Sequence, residues 1–73
     1  MKLQNQEITL GREFRKGIAN YFVIVDGEFQ LRRHRGHFRL SLDGKSVEAR
    51  DEHGRRDYRF CAIDNFVELW SLS

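Results

Sequence analysis

Between Val25 and Arg56 the chain places a glycine every eight to ten residues, each one after Asp, Arg or His. Between these glycines apolar residues mostly alternate with charged ones, which is the period of a β-strand with one buried face. Asp-Gly favours a two-residue hairpin turn because a type I′ turn needs positive φ at both central residues. We therefore predict four hairpin turns, at Asp26–Gly27, Arg35–Gly36, Asp43–Gly44 and His53–Gly54.

Counting outward from these turns predicts a five-stranded antiparallel meander over residues 20–25, 28–34, 37–42, 45–51 and 56–62. The turn sets the register of each hairpin, so the strand pairing follows from the count. The apolar partners then fall on one face of the sheet, and three pairs of opposite charge fall on the other. The predicted pairs are Phe22–Leu31, Ile24–Phe29, Tyr21–Arg32 and Val23–Gln30 in the first hairpin, Phe29–Leu42, Leu31–Leu40, Arg32–Arg39 and His34–His37 in the second, Leu40–Val47, Phe38–Ala49 and Arg39–Glu48 in the third, and Val47–Phe60, Ala49–Tyr58, Glu48–Arg59 and Arg50–Asp57 in the fourth.

The C-terminal stretch "AIDNFVELWSLS" changes period, because its apolar residues recur at helical spacing. Asn65 followed by Glu68 has the form of a capping box. We predict a short helix over 65–71, within a C-terminal segment 64–72, that packs on the core face of the sheet.

The first nineteen residues are predicted to form a short strand near 6–10 followed by a loop or one loose helical turn. The fold class is therefore α+β and mainly β, in one small domain spanning residues 1–73, with the meander at 20–62. An open sheet and a small barrel closed by the N-terminal strand both fit the pattern.

Composition bounds the partners and the compartment. The net charge is +2, and the basic residues are ten arginines against three lysines; arginine suits planar contacts to phosphate or carboxylate. The single cysteine, Cys61, excludes an intramolecular disulfide and fits a reducing compartment. We find no apolar run of membrane-spanning length and no signal-peptide core, so we expect a cytoplasmic protein with no membrane partner.

The predicted register gathers basic side chains on the sheet face away from the helix. Arg32 directly opposite Arg39 is an unfavourable like-charge pair, which suggests a function for that face. Exposed sheets with arginines and an aromatic ring hold single-stranded nucleic acid in several small β modules. The competing interpretation is a solvated face on which Glu48 and Asp57 neutralise the basic charge. The candidate binding residues are Tyr21 as the stacking ring, with Arg32, His34, His37, Arg39, Arg50 and Arg59.

The strand "YFVIV" at residues 21–25 is apolar on both faces and lies at the edge of the predicted meander. An uncovered edge of this kind invites pairing with another chain. Val23 and Val25 are therefore candidate interface residues, unless another part of the same chain covers the edge.

Catalytic and metal chemistry find little support in the sequence. His34 and His37 have H-x-x-H spacing, but a zinc site needs further ligands, which the register does not bring near. Cys61 has no adjacent base, and the glycines have turn spacing rather than phosphate-loop spacing. We predict no enzyme, no metal and no cofactor.

Two functions remain as hypotheses. The first is a non-enzymatic binding module that presents its arginine-rich face to a polyanion, above all single-stranded nucleic acid. The alternative is a protein-interaction protein, a small adaptor or inhibitor of the mobile-element or phage kind. It would dock an acidic protein surface through the basic face and the 21–25 edge. A homodimer with paired sheet edges is a third arrangement that the sequence allows.

Overall fold

The computed structural model describes residues 6–51, 53 and 56–71 and contains one antiparallel sheet. Six strands form this part of the chain, in the spatial order β1-β6-β2-β3-β4-β5. The sheet is open, with β1 and β5 at its two edges, and the predicted mainly-β, antiparallel class is confirmed. The elements are β1 Glu7–Ile8, β2 Arg15–Val25, β3 Glu28–Leu40, β4 Ser46–Arg50, β5 Asp57–Ala62, a 3-10 helix Ile63–Asn65 and β6 Phe66–Trp70.

The β2–β3 hairpin is the longest paired unit of the sheet. Its turn has positive φ at both central residues, 51° at Asp26 and 80° at Gly27, as a type I′ turn requires. All 11 residues of β2 pair with β3, from Val25 opposite Glu28 to Arg15 opposite Phe38. The predicted first turn and all four predicted pairs of this hairpin are confirmed.

The predicted second turn, at Arg35–Gly36, is wrong. β3 continues through both residues, and Gly36 pairs with Gly17 of β2. The reason is the length of β2, whose residues 15–19 were expected in a loop but offer partners for β3 as far as Phe38. The pairs Phe29–Leu42, Leu31–Leu40, Arg32–Arg39 and His34–His37 are consequently wrong, and Leu42 is 86% exposed instead of lying in the core.

The β3–β4–β5 part follows the prediction more closely. All three pairs predicted between β3 and β4 are present, and three of the four between β4 and β5. A register shift after Val47 pairs that residue with Cys61 instead of the predicted Phe60. In the β3–β4 loop, Asp43 Oδ1 accepts hydrogen bonds from Ser41 Oγ at 2.6 Å and Lys45 N at 2.9 Å, and these bonds lower the pKa of Asp43.

The fourth predicted turn falls partly outside the described residues. β4 and β5 do form a hairpin there, which a 2.8 Å hydrogen bond from Asp51 N to Arg56 O helps to close. Gly54 of the predicted His53–Gly54 turn lies outside the described residues.

The predicted C-terminal helix is wrong. Residues 66–70 form β6, which pairs with β2 through Ile18–Tyr21 and with β1 on its other side. The backbone groups along the second edge of β2 need partners, and β6 supplies them, so pairing in the sheet overrides the helical period. Helical geometry is confined to the 3-10 turn at Ile63–Asn65. The short N-terminal strand is confirmed at Glu7–Ile8.

The buried core is small and lies on one face of the sheet. Its six buried hydrophobic residues come from β2, β3, β4, β5 and β6, and Ile8, Leu10, Tyr21, Phe60, Ile63 and Phe66 pack around them. The radius of gyration is 12.6 Å, above the roughly 11 Å expected of a compact chain this long. The buried residues are Ala19, Phe38, Val47, Ala49, Cys61 and Leu69.

Gly17→Ala tests the close packing of β6 against β2. A Cβ at Gly17 would overlap the Trp70 carbonyl oxygen and crowd the Leu69 side chain. We expect a loss of about 1–3 kcal/mol in the free energy of unfolding, measured by urea denaturation. The matched control is Gly36→Ala, its cross-strand partner, where the nearest atom would lie at an ordinary 3.4 Å. Equal effects of the two substitutions would contradict this packing.

Candidate functional site

The hairpin arm, residues 16–37, is the part of the β2–β3 hairpin that lies beyond the pairing with β4. Within the described residues, β4 pairs with β3 only at Phe38–Leu40, and β6 pairs with β2 only at Ile18–Tyr21. In the described residues, the half of the arm nearest the Asp26–Gly27 turn is therefore a two-stranded ribbon.

We call the face of the sheet that bears Ala19 and Phe38 the inner face and the opposite one the outer face.

The seven predicted binding residues do not share one face. Because β3 runs straight through Gly36, its side chains alternate without the reversal that a turn would impose. Arg32 and Arg39 consequently lie on opposite faces and are not cross-strand neighbours. The register places Tyr21, Arg32 and His34 on the inner face, and His37, Arg39, Arg50 and Arg59 on the outer face.

Tyr21 packs against the core instead of standing free. Its ring lies edge-on to Phe60 with the centroids 4.6 Å apart. The exposed imidazole of His34 lies 5.4 Å from the same Phe60 ring and 6.1 Å from Phe38. The inner face at the base of the arm is thus an aromatic cluster, with His34 as its exposed member.

Arg39 and Arg50 are engaged by neighbours of opposite charge. Arg39 Nε lies 2.8 Å from Glu48 Oε1, and its Nη2 lies 3.4 Å from Asp57 Oδ2. Arg50 Nε lies 3.7 Å from Asp57 Oδ1. Both guanidinium groups also stack on the ring of Phe14, at 4.4 and 4.2 Å from its centroid. This part of the outer face matches the interpretation of a neutralised sheet surface.

The arm has a different charge arrangement. Its four basic side chains lie between its middle and its base, and its two acidic residues, Asp26 and Glu28, lie at its tip. Within the part of the chain that the structure describes, none of these basic groups lies within 4.0 Å of a carboxylate. Arg59 also lacks an ion pair there and donates from Nε to Ser46 Oγ at 3.2 Å. The basic side chains of the arm are Lys16, Arg32, Arg33 and Arg35.

Lys16, Arg33 and Arg35 were missed as candidates at the level of sequence. A usable signal was present for Arg33 and Arg35, since "RRHR" lies in a stretch with no acidic residue from Phe29 to Leu42. The arginines of such a stretch have no carboxylate close to them along their own strand that could neutralise their charge.

A cleft opens where β3 leaves β4 at the base of the arm. Its volume is about 460 Å³, within the range of about 300–1,000 Å³ typical of ligand pockets. The cleft is lined by three of the predicted binding residues, His34, His37 and Arg50. Arg35 and the half-exposed ring of Tyr58 also line it. Its lining is His34, Arg35, Gly36, His37, Phe38, Ala49, Arg50, Asp51 and Tyr58.

An apolar patch occupies the outer face toward the tip of the arm. It consists of four cross-strand partners: Phe22 (37% exposed), Leu31 (58%), Ile24 (62%) and Phe29 (67%). The Phe22 and Phe29 rings meet edge-on, 6.2 Å between centroids. These residues were expected in the core, but the core forms on the other face of the ribbon.

The predicted interface residues Val23 and Val25 lie on the inner face and are half-buried. β6 covers the β2 edge at Ile18–Tyr21 and stops before both valines. In the described residues the backbone edge of β2 is therefore paired with β6 only as far as Tyr21.

Cys61 is buried in the core, and this burial raises the pKa of its thiol, although the positive charge of Arg59 acts in the opposite direction. No group of three or more metal-ligating side chains occurs among the described residues. The described part of the chain also contains no helix long and apolar enough to cross a membrane.

Comparisons of the chain with protein-family models, curated proteins and solved structures found no match.

Stacking of Phe14 on the arginines can be measured by a double-mutant cycle. Phe14→Leu keeps apolar bulk but removes the ring face that Arg50 contacts. We expect a coupling of about 0.5–1 kcal/mol between Phe14→Leu and Arg50→Met in urea denaturation. Strictly additive effects would mean that the two side chains do not interact.

Proposed function

We propose that the protein is a non-enzymatic module that binds single-stranded nucleic acid at the base of the hairpin arm. The observation that supports this most strongly is the set of arm cations without carboxylate partners in the described residues: Lys16, Arg32, Arg33 and Arg35. Elsewhere in the sheet, Arg39 and Arg50 are paired with carboxylates. Phosphate contacts supply most of the affinity of non-specific nucleic-acid binding.

The geometry of β3 suits a backbone of repeated phosphates. Arg32, Arg33 and Arg35 are exposed along a strand segment that has a ladder partner on one side only in the described residues. Their side chains project to both faces of the sheet at that free edge. The outward-pointing backbone N–H groups of β3 can also donate hydrogen bonds to phosphate oxygens.

The cleft beside this edge supports binding of an unpaired base. Its volume and its exposed aromatic members, His34, His37 and Tyr58, suit stacking of a base beside Arg35. Base stacking on aromatic rings does not depend on base identity, so the module would have weak sequence preference. In this proposal Tyr58 takes the stacking role that the sequence suggested for Tyr21.

The first test removes the phosphate contacts. We expect Arg32→Glu combined with Arg35→Glu to weaken binding of a fluorescent oligothymidylate at least tenfold. The wild-type slope of log affinity against log salt concentration should be about −3 for four phosphate contacts. The slope of the variant should be shallower by roughly 1.4, because two contacts are removed. The control is Lys45→Glu with Arg56→Glu, which makes the same charge change at exposed sites off the arm. Equal losses of affinity in both variants would mean that net charge alone causes the effect, and this result would reject the proposed site.

The second test removes stacking alone. Tyr58→Leu keeps apolar bulk in the cleft but removes the aromatic ring. We expect affinity to fall about five- to tenfold, consistent with base–aromatic stacking energies of about 1–3 kcal/mol. The salt slope should not change, because no phosphate contact is lost. Preferential binding of duplex over single strands would contradict a base in the cleft.

Docking of an acidic protein segment is the second candidate function. The same free β3 edge favours it, because an extended peptide can add to an exposed strand through backbone hydrogen bonds. Failure of the protein to bind any oligonucleotide, with arginine-dependent capture of an acidic peptide, would favour this alternative.

A further inference from the structure

The apolar patch on the arm needs an explanation that nucleic-acid binding does not provide. Phe22, Ile24, Phe29 and Leu31 together expose the equivalent of about two whole side chains, on the order of 400 Å². A patch of this size is as large as the largest ones on ordinary monomers, which are often functional. It lies closer to the tip of the arm than the cleft and the basic residues.

We infer that this patch binds the same patch of a second copy of the chain, with the two arms antiparallel and packed outer face to outer face. In such a pair a two-fold axis lies between the two ribbons, perpendicular to the strands, at the level of Val23 and Gln30. Two ribbons packed in this way resemble a small sandwich, about 10 Å between the sheets.

The charges along the arm are complementary under this symmetry. Asp26 at the tip lies three residues from the centre of the patch, and Arg33 lies three residues from it on the other side. At about 3.4 Å per residue, both lie roughly 10 Å from the axis. The two-fold operation therefore brings Asp26 of each copy to the level of Arg33 of the other. Opposite charges meet at both ends of an apolar centre, which favours this register.

Pairing of the free β3 edges is the competing dimer, and the charges disfavour it. The unpaired stretch of β3, residues 28–37, has its midpoint between Arg32 and Arg33. Antiparallel pairing about that midpoint would place Arg32 of each copy directly opposite Arg33 of the other. Like charges directly opposite each other are destabilising. The face-to-face arrangement avoids this contact and leaves the edge open for phosphates.

The first experiment measures self-association by analytical ultracentrifugation over about 1–1,000 μM protein. The small patch predicts a weak dimer, with dissociation in the micromolar range, because stable interfaces usually bury about 800 Å² per partner. Leu31→Ser should raise the dissociation constant at least tenfold. Leu42→Ser is the matched control, since Leu42 is 86% exposed but lies off the arm. A monomer at every concentration, or a dimer indifferent to Leu31→Ser, overturns the inference.

Asp26→Asn tests the charge register without disturbing the turn, because Asn tolerates the positive φ of 51° at this position. We expect a three- to tenfold weaker dimer at low salt and no effect from Asp64→Asn, an exposed acidic control. An unchanged dimer would reject the proposed register.

A distance measurement separates the two dimers. Lys16→Cys carries a spin label at an exposed site, while the native Cys61 is buried. The face-to-face dimer places the two labels roughly 48 Å apart, from 14 residues at about 3.4 Å each. Edge pairing would give roughly 34 Å, from nine residues of about 3.4 Å along the strands and three strand spacings of about 4.8 Å across them. The shorter distance would overturn the inference, and the oligothymidylate measurements test the phosphate site independently of it.

Discussion

The backbone ladder between β2 and β3 is the interaction on which the other elements depend. The type I′ turn at Asp26–Gly27 sets its register, and the pairing then continues through all 11 residues of β2. β6 pairs with the free edge of β2, and β4 pairs with the end of β3, so both halves of the sheet are built on this hairpin. A slip of one residue would exchange Ala19 and Phe38 of the core with their less buried neighbours along each strand.

The length of this hairpin also explains the shape of the protein. β4 and β6 cover only part of β3 and β2, so a two-stranded ribbon extends beyond the six buried core residues. Isolated hairpins of this kind are marginally stable in water. The apolar side chains on its outer face are exposed to water in a monomer, which is also unfavourable. Self-association through that face would bury these apolar side chains and support the ribbon, and it would leave Lys16, Arg32 and Arg35 accessible.

The basic residues divide into two groups because of their surroundings. Arg39 and Arg50 lie over β4 and β5, where Glu48, Asp57 and Phe14 surround them. Arg32, Arg33 and Arg35 lie on a strand whose partner, β2, has no acidic residue opposite them. Carboxylates of β4 and β5 therefore pair with Arg39 and Arg50, whereas Arg32, Arg33 and Arg35 have no carboxylate within 4.0 Å in the described residues.

Sequence reasoning succeeded where local chemistry dictates the backbone and failed where several backbones suit the same residues. Asp26–Gly27 specifies a turn because both residues adopt positive φ, but Gly36 only permits one, and the length of β2 decided against it. In "FVELW" the short apolar run fits either a helix or a strand, and the free edge of β2 favoured the strand. Three of the seven predicted binding residues, His34, His37 and Arg50, meet in the cleft, whereas Lys16, Arg33, Arg35 and Tyr58 were not identified.

The sequence by itself determined an antiparallel, mainly-β chain, the first hairpin with its register, and nearly all pairing among β3, β4 and β5. These features follow from turn geometry and from alternation along each strand, which act over a few residues. The tertiary structure decided how far β2 and β3 pair, which strand covers β2, and hence which face each arginine occupies. Those outcomes depend on backbone groups that are far apart along the chain, such as Arg15 with Phe38, and Asn20 with Glu68 at a separation of 48 residues, and no local pattern encodes them.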